Sequence, residues 1–135
     1  MTRRSKARQV AFQVLYQDDL NPRGNPAEAD ALIVRRLRKD DLIDFARALV
    51  SGVRRNRLDM DAMIEQVAEN WSLKRMAATD RNILRLGAFE LLHTSTPEKV
   101  SIDEAVELAK RFGSDQSAQF VNGILDKLMR LKQKQ

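Results

Sequence analysis

Four cations, Arg3, Arg4, Lys6 and Arg8, are the first residues whose type and spacing could do chemistry, and that chemistry is holding an anion. They crowd the opening turns of a helical pattern in which no acid precedes Asp18 and Asp19. A helix carries partial positive charge at this end, so each exposed cation there costs a few tenths of a kcal/mol. A merely solvated face has no need of that placement; an anionic partner accounts for it. A second set is Gln116, Phe120, Gly123 and Lys127, a strip bordering the apolar face of the last helix, with an aromatic ring beside bare backbone. Glycine inside a helix costs roughly 1 kcal/mol against alanine. Close packing against a neighbouring helix is the simpler reading of Gly123 alone; the strip as a whole also fits a surface where a ligand or partner approaches the backbone. The third set is Phe12 and Tyr16, one turn apart and opposite the aliphatic stripe of their helix. Either a second layer covers them or they form an aromatic contact surface, with the polar-tipped Tyr16 expected at the surface.

Catalytic groups are scarce. The chain has no cysteine, which removes disulfides, thiolate nucleophiles and thiolate metal sites together, and His93 is its single histidine. That histidine sits at a helix C-terminus, where a capping cation is the expected role. The five glycines form neither a phosphate-cradling loop nor a dinucleotide fingerprint. A binder is expected, with no metal, cofactor or enzymatic activity. The 135 residues suffice for one domain with a real core. Hydrophobic content of 43% and 32% charged residues describe an ordinary soluble globular chain. No apolar run approaches the roughly 20 residues of a membrane span, and no secretory signal opens the chain. A cytoplasmic location and no membrane partner are therefore expected. The net charge of +5 is weak evidence for nucleic acid; its clustering at the N-terminus is stronger.

The elements that must position these residues are all helical. Ala7, Val10, Ala11, Val14 and Leu15 mark a first helix over about 3–18. Asn21 to Pro26 is a loop rich in turn residues. Helices follow over about 27–37 and 40–56, and another from Asp59 carrying Met60, Met63, Ile64 and Val67 as core filler. The pattern breaks at Asn70-Trp71-Ser72, dividing the chain into a helical subdomain 1–70 and another 71–135, together one compact domain. After a short turn through Met76, Thr79 or Asp80 opens the helix DRNILRLGAFELLH. Glu90 lies in its inward arc, which predicts a structural ion pair with a cation from another helix. The organising stretch is Val100 to Leu128. Ser101 and Glu104 read there as a capping box, Gly113 stops the helix, and Ser114 or Asp115 caps the last one, which runs unbroken through Asn122-Gly123 and ends in a fraying basic tail. No strand pattern survives, so the fold class is all-α, about seven helices in two halves.

DRNILRLGAFELL, SIDEAVELAKRFGSDQSAQFVNGILDKL, and the basic start running into AFQVLYQ resemble the NusB family of bacterial transcription antitermination factors. The resemblance spans nearly the whole chain and is most specific in the C-terminal half. It implies an all-α fold of two packed helical bundles joined near Trp71, and binding of the single-stranded boxA element of ribosomal RNA transcripts, together with a small-subunit ribosomal protein also called NusE, within an RNA polymerase antitermination complex. By position, Arg3, Arg4, Lys6 and Arg8 fall in the basic start that meets RNA in the family. Phe120 matches a phenylalanine near the RNA. Gln116 stands where some relatives have an acid, and a neutral amide repels phosphate less. Tyr16 and Asp80 match positions associated with the ribosomal-protein interface.

Other classes compete. Some RNA methyltransferases carry a NusB-like domain, but that reading requires a catalytic extension with a cofactor loop and a cysteine. A helical DNA-binding protein or structural adaptor would favour a recognition helix rich in Arg, Asn and Gln, whereas the cations here lie mostly at helix ends. A homodimer could use the same aromatic face as a partner protein. Without the resemblance, the residues do not separate RNA from DNA or name the partner.

Overall fold

A computed structural model describes residues 2–134. The chain forms α1 (Arg3–Leu20), α2 (Pro26–Leu37), α3 (Asp40–Val67), a 3-10 turn (Leu73–Arg75), α4 (Ala78–His93), α5 (Glu98–Phe112) and α6 (Ser117–Gln133). No strand occurs among the described residues, and none of these helices is long and apolar enough to cross a membrane. The first three helices pack on one another, as do the last three, and one continuous apolar core runs through both groups.

The middle of the molecule is α4, not the Val100–Leu128 pair. Every residue from Asn82 to Leu91 is buried, because α1, α3, α5 and α6 all pack around this helix. Two glycines let the neighbours come close. A Cβ on Gly52 of α3 would run into the ring of Phe89, and one on Gly87 would lie 2.8 Å from Leu125 and 3.1 Å from Ala105.

Several expected boundaries differ. Helix α3 runs straight through Asn56 and Asp59, since neither glycine nor proline occurs in it after Gly52, and Met60 and Ile64 continue the buried face of Leu49 and Val53. Asn56 donates to the Gly52 carbonyl at 2.8 Å and so bonds back within the helix it was expected to end. Helix α5 starts a turn before Ser101: Pro97 is the cap residue, its carbonyl accepts from the Ser101 N–H at 3.0 Å, and Ser101 is buried. A proline's fixed φ suits a helix start better than the anticipated capping box. Gln116, rather than Ser114 or Asp115, holds the cap position of α6, and the Ser114 N–H instead donates to Ser117 Oγ at 2.9 Å. The basic tail is helical through Gln133, and Lys132 Nζ donates to the Leu91 carbonyl at 3.0 Å.

Two polar clusters cross the core. In the first, Arg8 of α1 is buried and grips Glu90 of α4 with both arms of its fork, Nε to Oε1 at 2.6 Å and Nη2 to Oε2 at 2.9 Å. Its third nitrogen lies 3.3 Å from Glu104 of α5, and Glu104 also accepts from Ser5 Oγ at 2.6 Å. Glu90 thus has the cation from another helix that its position in the sequence demands. In the second cluster, Asp19 accepts from Arg81 at 2.7 Å and Asn82 at 2.8 Å, and Arg81 also donates to the carbonyls of Leu73 and Met76, both at 3.0 Å. Burial alone would raise the Asp19 carboxyl. The hydrogen bonds from Asn82 and Arg81, with the charges of Arg81 and Arg85, outweigh it and hold the group below the ordinary 3.8.

These clusters generate two expectations. Arg8→Gln leaves Glu90 as a buried, unpaired carboxylate, and removing one partner of such a pair costs about 3–5 kcal/mol; Arg4→Gln should stay within about 0.5 kcal/mol. Urea unfolding of the two variants checks this, and equal losses would refute the interior role of Arg8. A carboxyl depressed on folding contributes stability above its ordinary pKa and loses it as the pH falls through the folded value. Stability of the wild type should accordingly decline below about pH 3.8 in part through Asp19, and Asp19→Asn should be weaker at pH 7 with a flatter acid limb.

Candidate nucleic-acid interface

The cations of α1 divide into two kinds. Thr2 caps the helix, its Oγ1 accepting from the Ser5 N–H at 3.0 Å, and so fixes the rotation at which the following side chains emerge. Arg3 is two-thirds exposed, with Asp41 at 3.4 Å as a loose solvent-side partner. Lys6 is exposed. Arg4 is exposed too, but its guanidinium lies 4.7 Å over the ring of Phe45, which holds it flat at the surface. Arg8, expected among the phosphate contacts, does not belong with them. Its guanidinium is buried among Glu90, Glu104 and the ring of Phe45, whose centroid lies 5.2 Å away, which leaves it closed to phosphate. The first turn of α1 contains no acid, which leaves three outward cations at the positive end of a helix.

Phe120 lies at a different place, on α6 against the turn that joins α3 to α4. It is half-buried and meets Trp71 edge-on, with centroids 5.8 Å apart and planes at 74°. Trp71 itself is 51% exposed. With Asn70, Gln119, Gly123 and Lys127 they line a groove of about 280 Å³. Gly123 is helical, as the pattern indicated, yet a Cβ there would meet nothing within 4 Å, so close packing does not explain the glycine. Gln116 is exposed at the start of α6, its amide oxygen 3.5 Å from Ser114 Oγ, and does not line this groove. The sequence reading gave Trp71 no role beyond marking a boundary. The available signal was a lone tryptophan between Asn70 and Ser72, where no helical face exists to bury it.

Tyr16 and the start of α4 share a third place. Phe12 is buried, its ring 5.2 Å from Phe112 and 6.0 Å from Tyr16, which settles the second-layer reading for Phe12. Tyr16 is half-buried and, with Gln13, Gln17, Leu32, Arg36 and Thr79, lines a groove of about 430 Å³. Asp80 follows Thr79 in the first turn of α4. Its Oδ1 and the Oε1 of Gln13 are shielded from solvent with no hydrogen-bond donor among the described residues. Buried acceptors without donors are rare in folded chains. Among the described residues no group of three or more acids or histidines is arranged to hold a metal ion.

Comparison with known proteins assigns the chain. The NusB family profile matches residues 5–130. The transcription antitermination protein NusB of Anaeromyxobacter dehalogenans is 47% identical over 133 residues, covering 94% of this chain and 90% of its own length. That of Myxococcus xanthus is 45% identical over 134 residues, covering 95% of each. Among solved structures, NusB of T. maritima superposes with a TM-score of 0.84 at 34% identity, over 96% of this chain and 92% of the other. A structure of antitermination factors NusB and NusE in complex with double-stranded RNA gives 0.86 at 31% identity, over 97% and 98%. The chain belongs to the NusB family of transcription antitermination proteins.

Proposed function

We propose that this chain is a cytoplasmic antitermination factor that binds the boxA element of ribosomal RNA transcripts. In this reading it acts with the small-subunit ribosomal protein NusE, inside an RNA polymerase antitermination complex. The observation that carries the RNA part is the trio Arg3, Arg4 and Lys6, exposed at the end of α1 where the helix dipole disfavours them. Folding gains nothing from that placement, and phosphate does. The groove at Tyr16, with the polar side chains of Gln13, Gln17, Arg36 and Thr79 around an aromatic ring, supports a protein partner there. In this reading residues 1–70 supply the cations and most of the partner groove, while residues 71–135 supply Phe120 and Asp80. The chain works by binding alone, with no chemistry on RNA.

Binding to single-stranded nucleic acid weakens with salt at a log–log slope of about −0.7 per neutralised phosphate. Changing Arg3, Arg4 and Lys6 together to Gln should therefore flatten the slope by roughly 2 units. The titration should use boxA-type RNA with and without the ribosomal protein, against scrambled RNA, duplex RNA and duplex DNA. An unchanged slope excludes the trio, and tighter binding to either duplex transfers the function to that ligand. Tyr16→Ala should keep the RNA affinity of the lone chain and lose the enhancement by the ribosomal protein. Phe120→Ala should weaken RNA binding by about 1–3 kcal/mol even without the partner. Thermal melting must accompany it, because Phe120 also packs on the core. Transfer of labelled methyl from S-adenosylmethionine to ribosomal RNA by the purified chain would defeat the non-enzymatic reading.

A further inference from the structure

We propose that Trp71, Phe120 and the bare backbone at Gly123 form a cleft that stacks one unpaired RNA base, whose edge Asn70 and Gln119 read. The proposal rests on the RNA-binding reading above and adds a residue, a subsite and a ligand group to it. Trp71 is the only tryptophan of the chain and remains 51% exposed, although packing it inward would remove a large apolar surface from water. Its ring partner is Phe120, met edge-on, and half of the indole stays exposed beside that contact. Base–aromatic stacking uses such exposed ring surface.

Gly123 provides an independent observation. Gly52 and Gly87 are glycines because a neighbouring helix occupies the space of a Cβ. At Gly123 that space is empty, and the backbone is helical with no unusual torsion, so neither packing nor conformation requires glycine. Glycine there lowers helix propensity by roughly 1 kcal/mol and leaves the floor of the groove open. An occupant from outside the chain accounts for both. The rim favours a nucleotide. Lys127 is half exposed and only loosely held by Glu69 at 3.9 Å, and the adjoining turn exposes Lys74 and Arg75. The amides of Asn70 and Gln119 line the groove, both exposed and without side-chain hydrogen bonds among the described residues, and an amide can donate to and accept from a base edge at once. The volume of about 280 Å³ suits a single flat group rather than a helix or a strand.

The test titrates single-stranded boxA-type RNA into the full chain and follows the emission of its one tryptophan beside the anisotropy of labelled RNA. Stacking should quench Trp71 with the same midpoint as the anisotropy. Trp71→Leu should lose roughly 5- to 150-fold in affinity, the stacking contribution expressed as a ratio. Gly123→Met is the sharper variant, because methionine is a good helix former and its side chain fills the groove. Its melting temperature should hold or rise while RNA affinity falls at least about tenfold. An RNA with an abasic site at the stacked position should bind the wild type and Trp71→Leu alike. Wild-type binding with its salt slope, but no quenching and both variants at full affinity, overturns the cleft and leaves the RNA reading intact. Quenching by the ribosomal protein alone, and not by RNA, makes the groove a protein site and also overturns it. No RNA binding by the wild type removes the RNA reading and the cleft together.

Discussion

The ion pair between Arg8 and Glu90 fixes how α1 lies on the rest of the molecule. Two charges withdrawn from water hold together only with near-ideal geometry, and the bidentate fork at 2.6 and 2.9 Å supplies it. The pair therefore tolerates little rotation or sliding of α1 over α4. From that constraint the row Arg4, Arg8, Phe12, Tyr16, spaced four apart, follows as one ridge. It begins in solvent as a cation on Phe45, passes through the core as Arg8 and Phe12, and emerges as the half-buried Tyr16. Ser5, Gln9 and Gln13 form the neighbouring row, tied to α5 through the Ser5–Glu104 hydrogen bond. Both surfaces of α1 thus take their orientation from one buried contact.

The helices and their inward faces were legible because apolar spacing records burial directly. Glu90 could be read as half of an ion pair because a carboxylate in an inward arc has few stable alternatives. Its partner could not. Arg8 belongs by sequence to a run of cations, and only the rotation of α1 against α4 separates it from Arg4, one turn earlier. The capping signal at Ser101 failed for a similar reason. Ser and Glu three apart favour a helix start locally, but Pro97 offers an earlier one, and Glu104 is more useful to Arg8 than to its own backbone. The break expected near Asn56 rested on a polar stretch without a proline or glycine, and continuous burial on one side of α3 overrides such a stretch.

Some local rules are broken where folding gains nothing. Three cations oppose the dipole of α1, a Cβ at the helical Gly123 would touch nothing, and the single tryptophan is half exposed. None of these helps the core. By contrast, Arg8 has its carboxylates, Asp19 its donors, and Gly52 and Gly87 the neighbours that exclude a Cβ. A sequence consistent at every level except at scattered surface positions has those positions set by something other than folding. Here they fall at two places, the start of α1 and the groove where α6 meets the turn between α3 and α4. Helix ends are where backbone charge, loop residues and side chains from several helices meet. A bundle whose central helix is buried all round has no cleft at its heart to offer, so recognition must be built at its ends.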